Sequence, residues 1–245
     1  MPDTSTTIVM LIFLLAGLVK GVIGLGLPTV AMGLLGLAMA PTQAAALLIV
    51  PSFVTNVWQL AAGRQLGPLW RRLWPMMAGI CLGSWAGAGL LTADSGGTAT
   101  LALGLALAAY AALGLAAVRL PYPGRAERWL SPLTGAVTGL VTAATGVFVI
   151  PAVPYLQALR LVKDELVQAL GLSFTISTLA LAADLVRGGA LAASAGASLL
   201  ALAPALAGML LGQWLRAQVA PQRFRFWLLL GLLVLGAHLA LRGFW

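Results

Sequence analysis

Apolar residues in this chain do not alternate with polar ones and keep no narrow helical stripe; they run on as unbroken stretches of Leu, Ala, Val and Gly. Eight runs, near 8–26, 43–62, 73–92, 98–118, 131–150, 165–186, 195–215 and 226–242, reach or approach the roughly 20 residues an α-helix needs to cross a bilayer. A helix that is apolar all round has no face to offer water, so each run predicts a lipid-immersed helix. The period-two pattern of a membrane β-barrel is missing, which excludes that class. The expected fold class is an all-α polytopic membrane protein.

Two further apolar pieces, 28–40 and 151–160, are too short for a straight crossing. Each follows a break, Gly24-Leu25-Gly26-Leu27-Pro28 in one case and Gly146 to Pro151 in the other. Glycine frees the backbone, and proline removes a donor and disfavours helix in the residue before it. Both pieces therefore read as short broken or re-entrant helices.

The breaks recur because the chain is duplicated. A shift of 122 carries Gly17-Leu18-Val19 onto Gly139-Leu140-Val141 and Gly24 onto Gly146. Further on, a shift of 129 carries Pro75, Gly79, Gly83 and Trp85 onto Pro204, Gly208, Gly212 and Trp214. The expected organisation is one integral membrane domain of two homologous repeats, residues 1–120 and 131–245, joined by a cytoplasmic linker at 121–130. Each repeat has about four full spans and one short segment.

Charge sets the topology. Only 8% of the residues are charged, about a third of a soluble domain's share, so lipid must solvate this surface. The net charge of +8 comes from basic residues scattered between apolar runs, which is a positive-inside pattern and predicts no nucleic-acid partner. If only the eight long runs cross, the loop charges divide eight against five. If each short piece also returns the chain, Arg64, Arg71, Arg72, Arg119, Arg125, Arg128, Arg160, Lys163, Arg216, Arg223 and Arg225 share one side. Only Arg187 and Arg242 then lie opposite. The second arrangement is preferred. It gives five elements per half, which makes the repeats inverted and puts both termini outside the cytoplasm, as in many secondary transporters. The start, MPDTSTT, lacks the basic region of a signal peptide, so the first run is expected to remain as a membrane helix.

Candidate chemistry is sparse. One cysteine (Cys81) and one histidine (His238) leave no redox pair and no metal cluster, so no metal and no cofactor is expected. Neither a nucleophile triad, paired carboxylates nor a phosphate-binding loop is present, so the chain is not expected to be an enzyme. Lys20 is the basic residue inside a span; it either snorkels to the interface or faces an anion. Its counterpart is Thr142. Gly24, Gly26, Thr29, Thr145 and Gly146 surround the breaks, where free amides and hydroxyls suit a small oxyanion. Ser52, Thr55, Asn56 and Gln59 share a helical face after the first break, and Ser173, Thr175, Ser177 and Thr178 follow the second. These either line a pathway or bond helix to helix. Asp184 and Arg187 stand three apart and predict an interfacial ion pair. The Gly79/Gly83/Gly87 ladder and Gly208/Gly212 predict helix-contact seams, and Trp70, Trp74, Trp129, Trp214, Trp227 and Trp245 predict interfacial anchors.

The segment Gly17-Leu18-Val19-Lys20-Gly21-Val22-Ile23-Gly24-Leu25-Gly26, its echo Gly139-Leu140-Val141-Thr142-Ala143-Ala144-Thr145-Gly146 and the repeated Pro-x3-Gly-x3-Gly together resemble the TauE/SafE sulfite exporter family of membrane permeases. The resemblance spans the whole chain. It implies a bacterial cytoplasmic-membrane transporter that moves sulfite or a related small inorganic or organic sulfur-containing anion, generally outward. It also implies that the ends of both first spans lie near the substrate. The chain departs from internal symmetry in having Ala143 and Ala144 where the first half has Gly21 and Val22. The alternative of another class is a non-transporting membrane scaffold or assembly partner. Oligomeric state is not readable from the sequence.

Overall fold

The computed structural model describes residues 4–93, 97–118, 120–216, 218 and 220–243. Arg119 and Trp245 lie outside the described residues. Ten helices follow one another: α1 (Thr4–Ile23), α2 (Leu27–Leu35), α3 (Pro41–Ala61), α4 (Leu66–Ala86), α5 (Thr98–Leu115), α6 (Glu127–Thr145), α7 (Ala152–Ala158), α8 (Lys163–Arg187), α9 (Ala190–Leu215) and α10 (Pro221–Arg242). No strand occurs among the described residues. The order is long, short, long, long, long, and then the same again.

Six helices are long and apolar enough to cross a bilayer: α1, α3, α5, α8, α9 and α10. α4 and α6 have 21 and 19 residues but are less apolar, since Arg71 and Arg72 stand in the first two turns of α4 and Glu127 and Arg128 open α6. Both also begin earlier than the runs at 73–92 and 131–150. Hydropathy marks the lipid-immersed part of a helix, whereas charged first turns do not stop the backbone from coiling. The expected linker 121–130 therefore ends inside α6.

Glycines bring the helices together in pairs. A Cβ on Gly17 or Gly21 would fall 2.1 Å from the Ala205 carbonyl oxygen or 2.2 Å from that of Met209. Gly208 and Gly212 answer from α9 against Leu14 and Leu18, so α1 and α9 run parallel in near backbone contact. The same arrangement joins α4 and α6, where Gly79 and Gly83 meet Pro132 and Ala136, and Gly135 and Gly139 meet Met76 and Ile80. The expected glycine seams are thus present, and each has a partner seam on the other helix. α5 and α10 pack antiparallel through Gly104 and Gly236. α3 and α8 also run antiparallel, with Gly171 against Asn56 and Leu60 and Gly63 against Gln168.

α3 is the buried axis of the molecule, packed on α8 and α9. Its Pro51 cannot donate to the Leu47 carbonyl one turn back. The Ser198 hydroxyl of α9 donates to that carbonyl at 2.8 Å and accepts the Val50 N–H at 3.2 Å. Sequence reading missed Ser198, because its partner lies 151 positions away. Ser198→Ala is expected to lower stability by about 1 kcal/mol, the usual scale of a hydrogen bond between membrane helices, read as a lower unfolding temperature in detergent.

The loops gather at two ends. At one end Arg72 forms a two-pronged pair with Glu127 at 2.6 and 2.8 Å, Arg160 stacks over Tyr122, and Gln168 bonds Gln65 and Leu60. At the other end Arg242 donates to the Leu37 carbonyl, Gly188 abuts Thr92 and Gly97 abuts Gly243. The expected Asp184–Arg187 pair does not form. Asp184 is buried and accepts the Gly89 N–H at 3.0 Å, while Arg187 turns outward, so the two side chains leave the helix on different faces. Trp70, Trp74, Trp129, Trp214 and Trp227 all face outward, as interfacial anchors require.

Candidate functional site

The first break follows from two glycines. Gly24 at φ +87° and Gly26 at φ +109° turn the chain out of α1 and into α2, in a region that side chains with a Cβ rarely adopt. Pro28 sits in the first turn of α2, where its missing N–H costs nothing. The second break begins at Gly146, φ +69°, and continues through Val147 to Ile150 before α7 starts.

Lys20 lies one turn before the first break and is 3% exposed. It does not snorkel to the surface. Its ammonium turns inward to α3, donating to Thr55 Oγ1 at 3.1 Å and to Asn56 Oδ1. Asn56 Nδ2 in turn donates to Thr178 Oγ1 of α8 at 3.3 Å, so one chain of polar contacts crosses from α1 through α3 to α8. One turn further along α3, Gln59 Nε2 donates to the Gly24 and Val167 carbonyls, both at 3.0 Å. Lys20 bonding Asn56 while Gly24 bonds Gln59 means that α1 and α3 run in the same direction, with α2 returning the chain between them.

Among the described residues no carboxylate pairs with Lys20. Among the described residues the acids are Glu127, held by Arg72; Asp164 and Glu165 at the start of α8; and Asp184 near its end. A buried amine whose partners are neutral lacks a counter-charge, and an anion beside it would supply one.

Other hydroxyls of α2, α3 and α8 are buried as well. Ser52 on α3, Ser173 and Ser177 on α8 and Thr29 on α2 are fully buried, and their oxygens have no hydrogen-bond partner; Gln59 Oε1 is likewise unpaired. Buried hydroxyls without partners are uncommon, and three of these four belong to α3 and α8, the helices that the Asn56–Thr178 bond joins. Sequence patterning had singled out all five.

Other expected site residues serve their own helices. Thr142 Oγ1 donates to the Thr138 carbonyl at 2.7 Å. Thr145 Oγ1 donates to the Val141 carbonyl and accepts the Val147 N–H, which caps the end of α6 at Gly146. The two breaks are also well apart. Gly24 meets Gln59 near the end of α3, whereas a Cβ on Gly146 would meet Met32 and Ala45 near its start. Fourteen residues of helix separate those levels, about 21 Å. Lys20, Thr55, Asn56 and Thr178 lie between them.

A cavity of about 500 Å³ opens between the end of α3, the α3–α4 turn and the start of α8, with Gln59, Arg64, Asp164 and Glu165 in its lining. Gln168, 1% exposed, also lines it and ties α8 to the α3–α4 turn. Nothing in the sequence pattern distinguished Gln168, because its two partners are backbone groups a hundred positions away.

No curated protein and no solved structure shows significant similarity to the chain. The family described as Sulfite exporter TauE/SafE matches residues 9–239. That match takes in both breaks, both sets of glycine seams and the Lys20 cluster, and with it the chain belongs to the TauE/SafE family of multi-pass membrane transporters.

Proposed function

We propose that the protein is a secondary transporter of small sulfur oxyanions, such as sulfite or an organosulfonate, in a bacterial cytoplasmic membrane, working chiefly outward. The observation that carries this reading is Lys20: a buried basic side chain bonded to neutral Thr55 and Asn56, with no carboxylate partner among the described residues. Amides, hydroxyls and one basic amine suit an oxyanion, whereas a metal cation would find no carboxylate, imidazole or thiolate among them. Lys20, Asn56, Ser52, Ser173 and Ser177 form the proposed site, with Gly24, Gly26 and Thr29 above it, Thr142, Thr145 and Gly146 below, and Gln59 closing the cytoplasmic side.

The same reading takes residues 1–120 and 131–245 as inverted repeats joined at 121–130. Helix directions support it: α1 runs with α9 and α3, α4 with α6, and α3 against α8, so every long helix of one half opposes its counterpart in the other. The Asn56–Thr178 bond adds support. Its partners are 122 apart, the spacing that relates Gly24 to Gly146, so equivalent residues meet on the axis between the halves. Assigning the basic end to the cytoplasm follows the positive-inside rule. Alternating access then means that the helices around the α3–α8 crossing rock, releasing Gln59 from Gly24 and Val167 on the cytoplasmic side and opening the Gly146 side in turn.

Purified protein in liposomes, loaded with sulfite, a small sulfonate or chloride, tests the function. Flux of the sulfur anions well above chloride is expected; a scaffold would move none of them. In a Cys81→Ser background, Arg64→Cys and Tyr122→Cys are expected to react with an impermeant thiol reagent from one side and Arg187→Cys from the other. Labelling of positions 64 and 187 from the same side would overturn the inverted arrangement.

A further inference from the structure

The two short helices pack differently. α2 rests on α5 and α10 as well as on α1 and α3, whereas α7 packs on α6 and α8 without comparable contact to α5 or α10. Where that packing is missing, two contiguous cavities of about 690 and 250 Å³ share Val118, Leu120, Pro154, Gln157 and Arg225. The larger lies at the basic end, with Arg160, Arg225 and Tyr122 around its mouth. The smaller continues inward, walled by Tyr110, Leu113 and Gly114 of α5 and by Ile150, Pro151 and Val153 at the second break. The seven residues of α7 make this trough about 10 Å deep.

The two parts differ in chemistry. No acid lines either one. Among the described residues neither arginine is used elsewhere in an ion pair: the pair at this end belongs to Arg72 and Glu127, and the Arg160 guanidinium rests 5.0 Å from the centre of the Tyr122 ring. Guanidinium groups bind phosphate in two-pronged fashion, and Gln157 adds a carboxamide beside them. The inner part is apolar apart from Tyr110, Gln157 and Arg225 in its lining. A free anion would fill the mouth and leave the trough empty, whereas an amphiphile with an anionic head fills both.

We propose that this trough binds an anionic phospholipid of the cytoplasmic leaflet, with its phosphate between Arg160 and Arg225 and one acyl chain lying between α5 and α7. The proposal takes only the sidedness of the basic end from the functional reading and does not depend on sulfite transport. The chain of the bound lipid lies against Ile150 and Pro151, so the lipid braces the second break where α5 and α10 brace the first.

Native mass spectrometry of the purified full chain with phosphatidylglycerol or phosphatidylcholine of matched acyl chains, or with inorganic phosphate, tests it. Phosphatidylglycerol is expected to be retained in preference to phosphatidylcholine. Arg160→Gln/Arg225→Gln should weaken that retention by about ten-fold or more. Leu113→Trp, which fills the trough and keeps both arginines, should weaken it as well, while Arg128→Gln, which removes a cation at the same end outside the trough, should leave it unchanged. A matching mass and a single gel-filtration peak show that each variant is folded. Equal retention of both lipids, full retention in the double variant, an equal loss in Arg128→Gln, or inorganic phosphate displacing the lipid would each overturn the proposal.

Discussion

Lys20→Met is expected to cut sulfite flux in liposomes by about 100-fold, the loss of a charge-assisted contact worth roughly 2–3 kcal/mol, while leaving the protein at least as stable as before. The two readouts move differently because the same charge has two roles. In the folded protein the amine is buried against neutral Thr55 and Asn56, with no carboxylate among the described residues to offset its desolvation, so an apolar side chain of similar length removes a cost that outweighs the lost Asn56 contact. In transport the Lys20 amine is, among the described residues, the one basic side chain bonded to the buried face of α3, and an arriving anion would hold it charged. Lys20→Arg is expected to recover little, since a planar fork does not fit the pocket shaped by Thr55 and Asn56. A role in folding alone predicts the reverse: a lower unfolding temperature with flux per folded molecule unchanged.

The second large effect is structural. Gly83→Ala is expected to abolish the folded protein, at a cost of about 3 kcal/mol or more, because its new Cβ would sit 1.9 Å from the Ala136 carbonyl oxygen, where ordinary contact begins near 3.4 Å. Both atoms belong to helix backbones, so relief requires α4 and α6 to separate along the whole seam. Gly231→Ala is the matched control. It lies in α10 with nothing within 4 Å of the added methyl, and it should be neutral or stabilising by up to about 1 kcal/mol. Expression and gel filtration of the two variants make the comparison; a well-behaved Gly83→Ala protein would mean that the seam is looser than the helix pairing described here.

The sequence made part of this legible and hid the rest for physical reasons. Continuous apolar runs located the long helices, and the repeated Pro-x3-Gly-x3-Gly marked the seams, because close backbone approach tolerates little but glycine. Lys20 stood out because a charge in an apolar run is rare. Its direction did not: whether a lysine snorkels or turns inward depends on which helix lies beside it, here α3, which is brought back parallel to α1 by α2. Asp184 was misread for a related reason. Local spacing offered Arg187, but the packing of α8 put the carboxylate against the Gly89 amide. Ser198, Gln168 and the pair Arg72–Glu127 were missed altogether, since each answers a backbone or side-chain need created by a distant segment. The trough beside α7 was equally invisible, being an absence of packing between elements the sequence only enumerates.

The central claim is that the buried cation serves a moving anion. Efflux of sulfite from liposomes, with pH equal on both sides and the membrane potential set by a potassium gradient and ionophore, tests it most directly. An inside-negative potential does about 2.3 kcal/mol of work per charge per 100 mV on an outgoing anion, so efflux should accelerate as the inside is made more negative, without any proton gradient. Sulfite efflux no faster than chloride at every potential would contradict the account.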